Sequence, residues 1–200
     1  MRSLSIFIAL AMISASALAQ KAAPPAIKVG DQWQFVVYYT VPSTTPNRTW
    51  VVTSVTPTRI EGTENDGEAL TLTPELNIID TPRERTSNMK MLDFPLEVGK
   101  SWRYESDWLF KPKGSKGTFV GNVTVVGYER IKVPAGEFEA FKLVDKRVMR
   151  GISGIGSVID AEASLTYWYA PAANAIVKSI YLNPYLGPST VELVEYRPQR

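Results

Sequence analysis

Apolar and polar residues alternate with a period of two along most of this chain, and no stretch sustains a helical period of 3.6. The clearest run is Trp102–Phe110. There Trp102, Tyr104, Ser106, Trp108 and Phe110 face one way, and Arg103, Glu105, Asp107 and Leu109 face the other. An aromatic face backed by a charged one predicts a half-buried antiparallel strand. Further strands are predicted at Trp33–Thr40, Thr49–Thr56, Phe119–Ile131, Phe138–Met149, Ala163–Ala170, Ile176–Leu182 and Thr190–Tyr196, each rich in β-branched or aromatic residues. Turn chemistry separates them. Asn65-Asp66-Gly67 supplies the Asp-Gly pair of tight hairpins. Val133-Pro134-Ala135-Gly136 puts proline and glycine where a type I turn takes them. Pro171–Asn174 and Asn183-Pro184 punctuate the last three strands.

Two features refine this all-β antiparallel reading. Val29-Gly30-Asp31-Gln32-Trp33-Gln34-Phe35 is echoed 69 positions later by Val98-Gly99-Lys100-Ser101-Trp102-Arg103-Tyr104, which points to a pseudo-duplicated sheet. Along Trp33–Tyr39 the second face carries Val36 and Tyr38, so both faces of that strand are apolar and a second layer is expected. A strongly curved half-barrel or a small sandwich answers both.

Composition excludes more than it suggests. The chain has no Cys and no His. Disulfides, thiol nucleophiles, histidine-ligated zinc and Ser-His-Asp triads are therefore excluded. A net charge of +2 is too balanced to propose nucleic acid as partner.

Residues 1–19 have the pattern of a secretory leader. Arg2 precedes an apolar run from Leu4 to about Ala15, and Ala17-Leu18-Ala19 offers small residues for cleavage between Ala19 and Gln20. The run is shorter than the roughly 20 residues of a spanning helix. Periplasmic or secreted destination follows, with a tether over 20–26, one domain over 27–196 and a tail over 197–200. A lipid-spanning barrel is not expected, because Arg103, Glu105, Asp107, Glu192 and Glu195 interrupt any apolar band.

The blocks Phe94–Trp102, Gly127–Phe138, Trp168-Tyr169-Ala170-Pro171, Ala175–Lys178 and Val191–Tyr196 together resemble a family of secreted bacterial proteins of unknown function. The resemblance spans about residues 27–196. It implies a twisted antiparallel sheet, distantly like the half-barrels that carry lipoproteins or lipids in the periplasm. It implies no catalytic residues.

Candidate chemistry is sparse. Ser87-Asn88-Met89-Lys90 has Ser-Lys spacing but lies in a polar loop bracketed by Pro82, Asp93 and Pro95. Gly151–Ser157 is glycine-rich but leads into a strand, so it reads as a hairpin tip rather than a phosphate cradle. Glu61, Glu64, Asp66 and Glu68 crowd one turn without the spacing of a calcium loop. Neither a catalytic group, a metal nor a cofactor is predicted. The aromatic load is the positive signal, and it nominates Trp33, Phe35, Trp102, Tyr104 and Trp168 as an apolar ligand-binding face. Lys111, Lys113 and Lys116 form a basic turn that could meet a head group. The expected function is a non-enzymatic binding or carrier module for a lipid-like ligand or envelope component. The alternatives are an accessory protein acting through protein–protein contact and, third, a carboxylate or Ser-Lys hydrolase.

Overall fold

The computed structural model describes residues 20–40, 43–65, 67–185 and 187–199. The leader over 1–19, Asp66 of the Asn-Asp-Gly turn and Arg200 of the tail lie outside the described residues. The strands are β1 (Lys21–Ala22), β2 (Gln32–Thr40), β3 (Ser43–Thr44), β4 (Asn47–Val55), β5 (Ile60–Glu64), β6 (Glu68–Leu72), β7 (Ile78–Asp80), β8 (Glu84–Thr86), β9 (Leu96–Glu97), β10 (Ser101–Phe110), β11 (Ser115–Val133), β12 (Gly136–Ile152), β13 (Val158–Ala170), β14 (Ala175–Leu182) and β15 (Ser189–Arg197).

Twelve of these close into one antiparallel barrel. The order runs β2, β4 to β8, then β10 to β15, and β15 pairs back onto β2 from Ser189↔Tyr39 to Arg197↔Gln32. The half-barrel or sandwich expected from sequence is therefore corrected to a closed barrel. Four strands made the difference. Residues 60–86 supply β5 to β8, each of three to five residues, which bring the two edges of the sheet together. Closure satisfies the backbone groups that a half-barrel would leave on β2 and β15. Among the described residues no second layer covers Val36 and Tyr38. These residues sit on the outer wall, Val36 half-buried and Tyr38 exposed.

The repeated Val-Gly segments open the two six-strand halves in the same way. Gly30 and Gly99 both take φ +90, a conformation that favours glycine. Gly30 N donates to the Val52 carbonyl and Gly99 N to the Val125 carbonyl, each at 2.8 Å. Each acceptor then borders a bulge, at Val52/Ser54 and at Val125/Gly127.

The meander puts alternate connections at opposite ends. At one end, here the base, the 87–100 connection folds into the barrel with Met89, Leu92 and Leu96 buried against Phe141, Leu143, Tyr167 and Tyr169. Asn77 pins this plug by donating from Nδ2 to the Leu92 carbonyl and accepting from Leu92 N on Oδ1, both at 2.8 Å. The segment read as a tether is anchored here, because β1 pairs with β9 and Ala22 is buried. Beyond its bulge the β11–β12 hairpin reaches β15, where Ala135 N donates to the Leu193 carbonyl at 3.0 Å. A second apolar cluster gathers Trp33, Phe35, Val52, Leu70, Val177 and Leu193 with Val133 and Ala140 of that hairpin. The other end, the rim, carries the 111–114, 153–157 and 183–188 connections and has no such plug among the described residues.

Candidate functional site

Period two dictates which residues of β12 face inward: Phe141, Leu143, Asp145, Arg147 and Met149 are all buried, while Lys142, Lys146 and Arg150 point out. Two charges thus stand inside the barrel, Asp145 at 0% exposure and Arg147 at 6%. They pair with each other through Asp145 Oδ2 and Arg147 Nη2. The Tyr104 hydroxyl donates to the same oxygen at 2.7 Å. Arg147 is also enclosed by rings, its guanidinium carbon lying 5.2 Å from the Phe119 centroid and 5.9 Å from those of Tyr104 and Tyr181. A weakly hydrated, planar cation is suited to such a cage.

Gly121 makes the arrangement fit. It is the direct partner of both Tyr104 and Arg147, and a Cβ there would lie 2.3 Å from Tyr104 Cε1. The absence of a side chain lets the tyrosine ring lie across the strand and reach Asp145.

The cluster is not fully satisfied from within the protein. Asp145 Oδ1, Arg147 Nε and Trp108 Nε1 are buried without a hydrogen-bond partner. Trp108 faces inward from β10, stacked on Phe119 at 5.3 Å. Each such atom has given up water, which costs roughly 1–3 kcal/mol unless something replaces it. A second polar group lies across the lumen. Arg48 Nη2 donates to the Tyr39 hydroxyl at 3.0 Å, its Nε sits 3.8 Å from Glu64 Oε1, and Trp50 Nε1 donates to Glu64 Oε2 at 3.1 Å. Glu84 feels both groups, through Arg147, Arg48, Arg83 and Glu64.

Burial raises the pKa of the Glu84 carboxyl, and the arginines only partly oppose this. Burial likewise raises the Tyr104 hydroxyl, helped by Asp145. Burial lowers Arg147, but Tyr104, Asp145 and Tyr181 outweigh it and hold the guanidinium charged. The Glu84 shift has a testable sign. An acid whose folded-state pKa is raised contributes stability that is complete below its unfolded value of about 4.3 and is lost as pH rises through the folded value. Glu84→Gln removes that loss. In urea titrations the stability advantage of the variant over wild type is expected to widen from pH 4 to pH 7; a constant difference would mean that the carboxyl is solvated.

The residues nominated from sequence do not converge. Trp33 is buried, stacked on Tyr196 at 5.4 Å and donating to the Ala173 carbonyl at 2.9 Å. Phe35 packs edge-on against Trp50 in the same cluster. Trp102 donates to the Lys90 carbonyl near the base. Trp168 lies under Lys142 and donates to Glu129 at 2.8 Å. Only Tyr104 belongs to the polar lumen. Two depressions of about 680 and 770 Å³ mark the outer wall, and none of the five aromatic residues lines either. Lys111 is held by Asp80 at 2.5 Å, whereas Lys113 and Lys116 are exposed.

The weaker motifs have local explanations. Ser87 Oγ accepts from Asp107 N, and Lys90 pairs with Asp93 at 2.7 Å. Ser153 N bonds the Ser157 carbonyl across a hairpin tip. Glu64 turns inward, while Glu61 and Glu68 are exposed. Asp145, Arg147, Glu84 and Arg48 were not nominated. The detectable signal was parity, since Asp145 and Arg147 share the register of Phe141, Leu143 and Met149.

No protein-family model matches the chain, and no curated protein matches it. Solved structures do share the fold. The hypothetical lipoprotein YmcC from Escherichia coli aligns with a TM-score of 0.51 at 11% identity, over 83% of this chain and 85% of that one. A Bacteroides fragilis protein, provisionally described as exported and as having a YmcC-like fold, gives 0.54 at 15%, over 88% and 99%. A protein provisionally described as a lipoprotein, from Parabacteroides distasonis, gives 0.55 at 12%, over 89% and 100%. The chain has a YmcC-like fold; identities this low carry architecture and not chemistry.

Proposed function

We propose that this is an exported, non-enzymatic binding barrel that takes a small polar ligand in the rim half of its lumen. The carrying observation is the trio of buried, unpartnered atoms Asp145 Oδ1, Arg147 Nε and Trp108 Nε1. One accepts and two donate, so the complementary ligand bears both a donor and an acceptor. Tyr104, Phe119 and Tyr181 add apolar ring faces around it. The lipid-like cargo suggested by the aromatic count gives way to a polar one, because Trp33 and Phe35 are consumed by the barrel's own core. Export follows from the leader. Cleavage between Ala19 and Gln20 would leave a new terminus one residue before β1, anchored against the base.

Native mass spectrometry on protein isolated from its own envelope without detergent tests this. Wild type is expected to carry a small polar adduct, and the paired variant Asp145→Leu/Arg147→Met, chosen to preserve the fold, is expected to lack it. A bare wild-type mass, an adduct of lipid mass, or an adduct retained by the paired variant would overturn the reading.

A further inference from the structure

The rim carries an apolar projection that the lumen does not use. In the β12–β13 hairpin Ile155 is 92% exposed, Val158 78% and Ile152 51%. Ile152 and Val158 are direct cross-strand partners, so the three side chains gather at one tip. Tyr185 from the next rim connection is also exposed, its hydroxyl lying 3.3 Å from the Asp160 carbonyl. Isolated exposed apolar residues are ordinary, but a cluster held out on a hairpin tip marks a surface that something else covers.

The covering chemistry is indicated by what lies beside the tip. Lys116 is the direct partner of Ile152. Gly154 packs against the Lys113 carbonyl so closely that a Cβ would stand 1.6 Å from that oxygen, and Gly154 N donates to Ser115 Oγ at 3.2 Å. The basic turn and the apolar tip therefore form one unit. Lys113 and Lys116 are exposed, and among the described residues no acid lies within ion-pair distance of either. The neighbouring Asp160 is matched by Arg150 at 3.7 Å.

We infer that this rim unit docks on an anionic lipid surface. Ile155, Val158 and Ile152 enter the acyl boundary while Lys113, Lys116 and Arg150 stand at the level of the head groups. Neither two lysines and an arginine nor three aliphatic side chains would hold a protein on a bilayer alone, and stable anchoring takes two signals together. The inference does not depend on a lumen ligand.

Co-sedimentation of the chain beginning at Gln20 with vesicles tests it. Binding is expected to mixed phosphatidylglycerol/phosphatidylcholine vesicles, not to phosphatidylcholine alone, with release at about 0.5 M salt. Ile155→Asp, and separately the pair Lys113→Glu/Lys116→Glu, are each expected to lower partitioning by about tenfold or more. Both should keep the wild-type melting midpoint, because the altered side chains are exposed. Failure of wild type to sediment with anionic vesicles, or undiminished binding by Ile155→Asp, overturns the inference. So does a dimer in sedimentation velocity that Ile155→Asp dissociates without any vesicle binding, which would assign the tip to a second copy.

Discussion

Arg147→Ala is expected to lower the thermal midpoint by about 10 °C. The change removes one partner of a fully buried pair and leaves the Asp145 carboxylate, at 0% exposure, with only the Tyr104 hydroxyl. Breaking such a pair from one side costs about 3–5 kcal/mol, and a domain of this size loses roughly 2–4 °C per kcal/mol. Removing both charges is a different experiment. In Asp145→Leu/Arg147→Met no charge is left stranded, and replacement of a buried pair by well-packed apolar groups is often neutral or better. The paired variant should therefore recover most of the loss. Calorimetry on the three proteins decides the matter. A paired variant as unstable as Arg147→Ala would show that the loss comes from the ring cage around the guanidinium and not from the stranded charge.

Gly121→Ala is expected to be the next most damaging change, at about 2–4 kcal/mol, although it adds one methyl group. The added Cβ would lie 2.3–2.6 Å from three atoms of Tyr104. The ring is buried at 5% exposure and cannot swing out without breaking its 2.7 Å bond to Asp145. Overpacking of this kind costs about 1–3 kcal/mol, and loss of the Tyr104–Asp145 hydrogen bond adds to it. Tyr104→Ala relieves the overlap. In a double-mutant cycle the two changes should be strongly non-additive, with Gly121→Ala costing little once Tyr104 is gone. Additive losses would place the damage in the strand pairing instead.

These positions mark where sequence reading stopped. Alternation within a strand is local, so the all-β class, most long strands and the Pro-Ala turn at β11–β12 could be read without a structure. The Val-Gly repeat was also legible, because a glycine at φ +90 leading into a strand leaves the same mark twice. The strands β5 to β8 escaped, being too short to establish a period; Glu84-Arg85-Thr86 reads equally as loop. Without them the sheet has edges and the barrel stays open.

The lumen was illegible for a related reason. A charge in a strand reads as solvent-facing, and Asp145 and Arg147 look no different in sequence from Lys142, Lys146 and Arg150. Their inward register can be read from parity with Leu143 and Met149. That Tyr104, 41 residues away, bonds Asp145 is set by the pairing of three strands. The sequence by itself determined the long strands and excluded the chemistry of thiols and imidazoles, because both depend on residue type and nearest neighbours. Tertiary structure alone decided that the ring closes and that Glu84, Arg48 and Arg147 share one enclosed field, because those relations exist only once β15 meets β2.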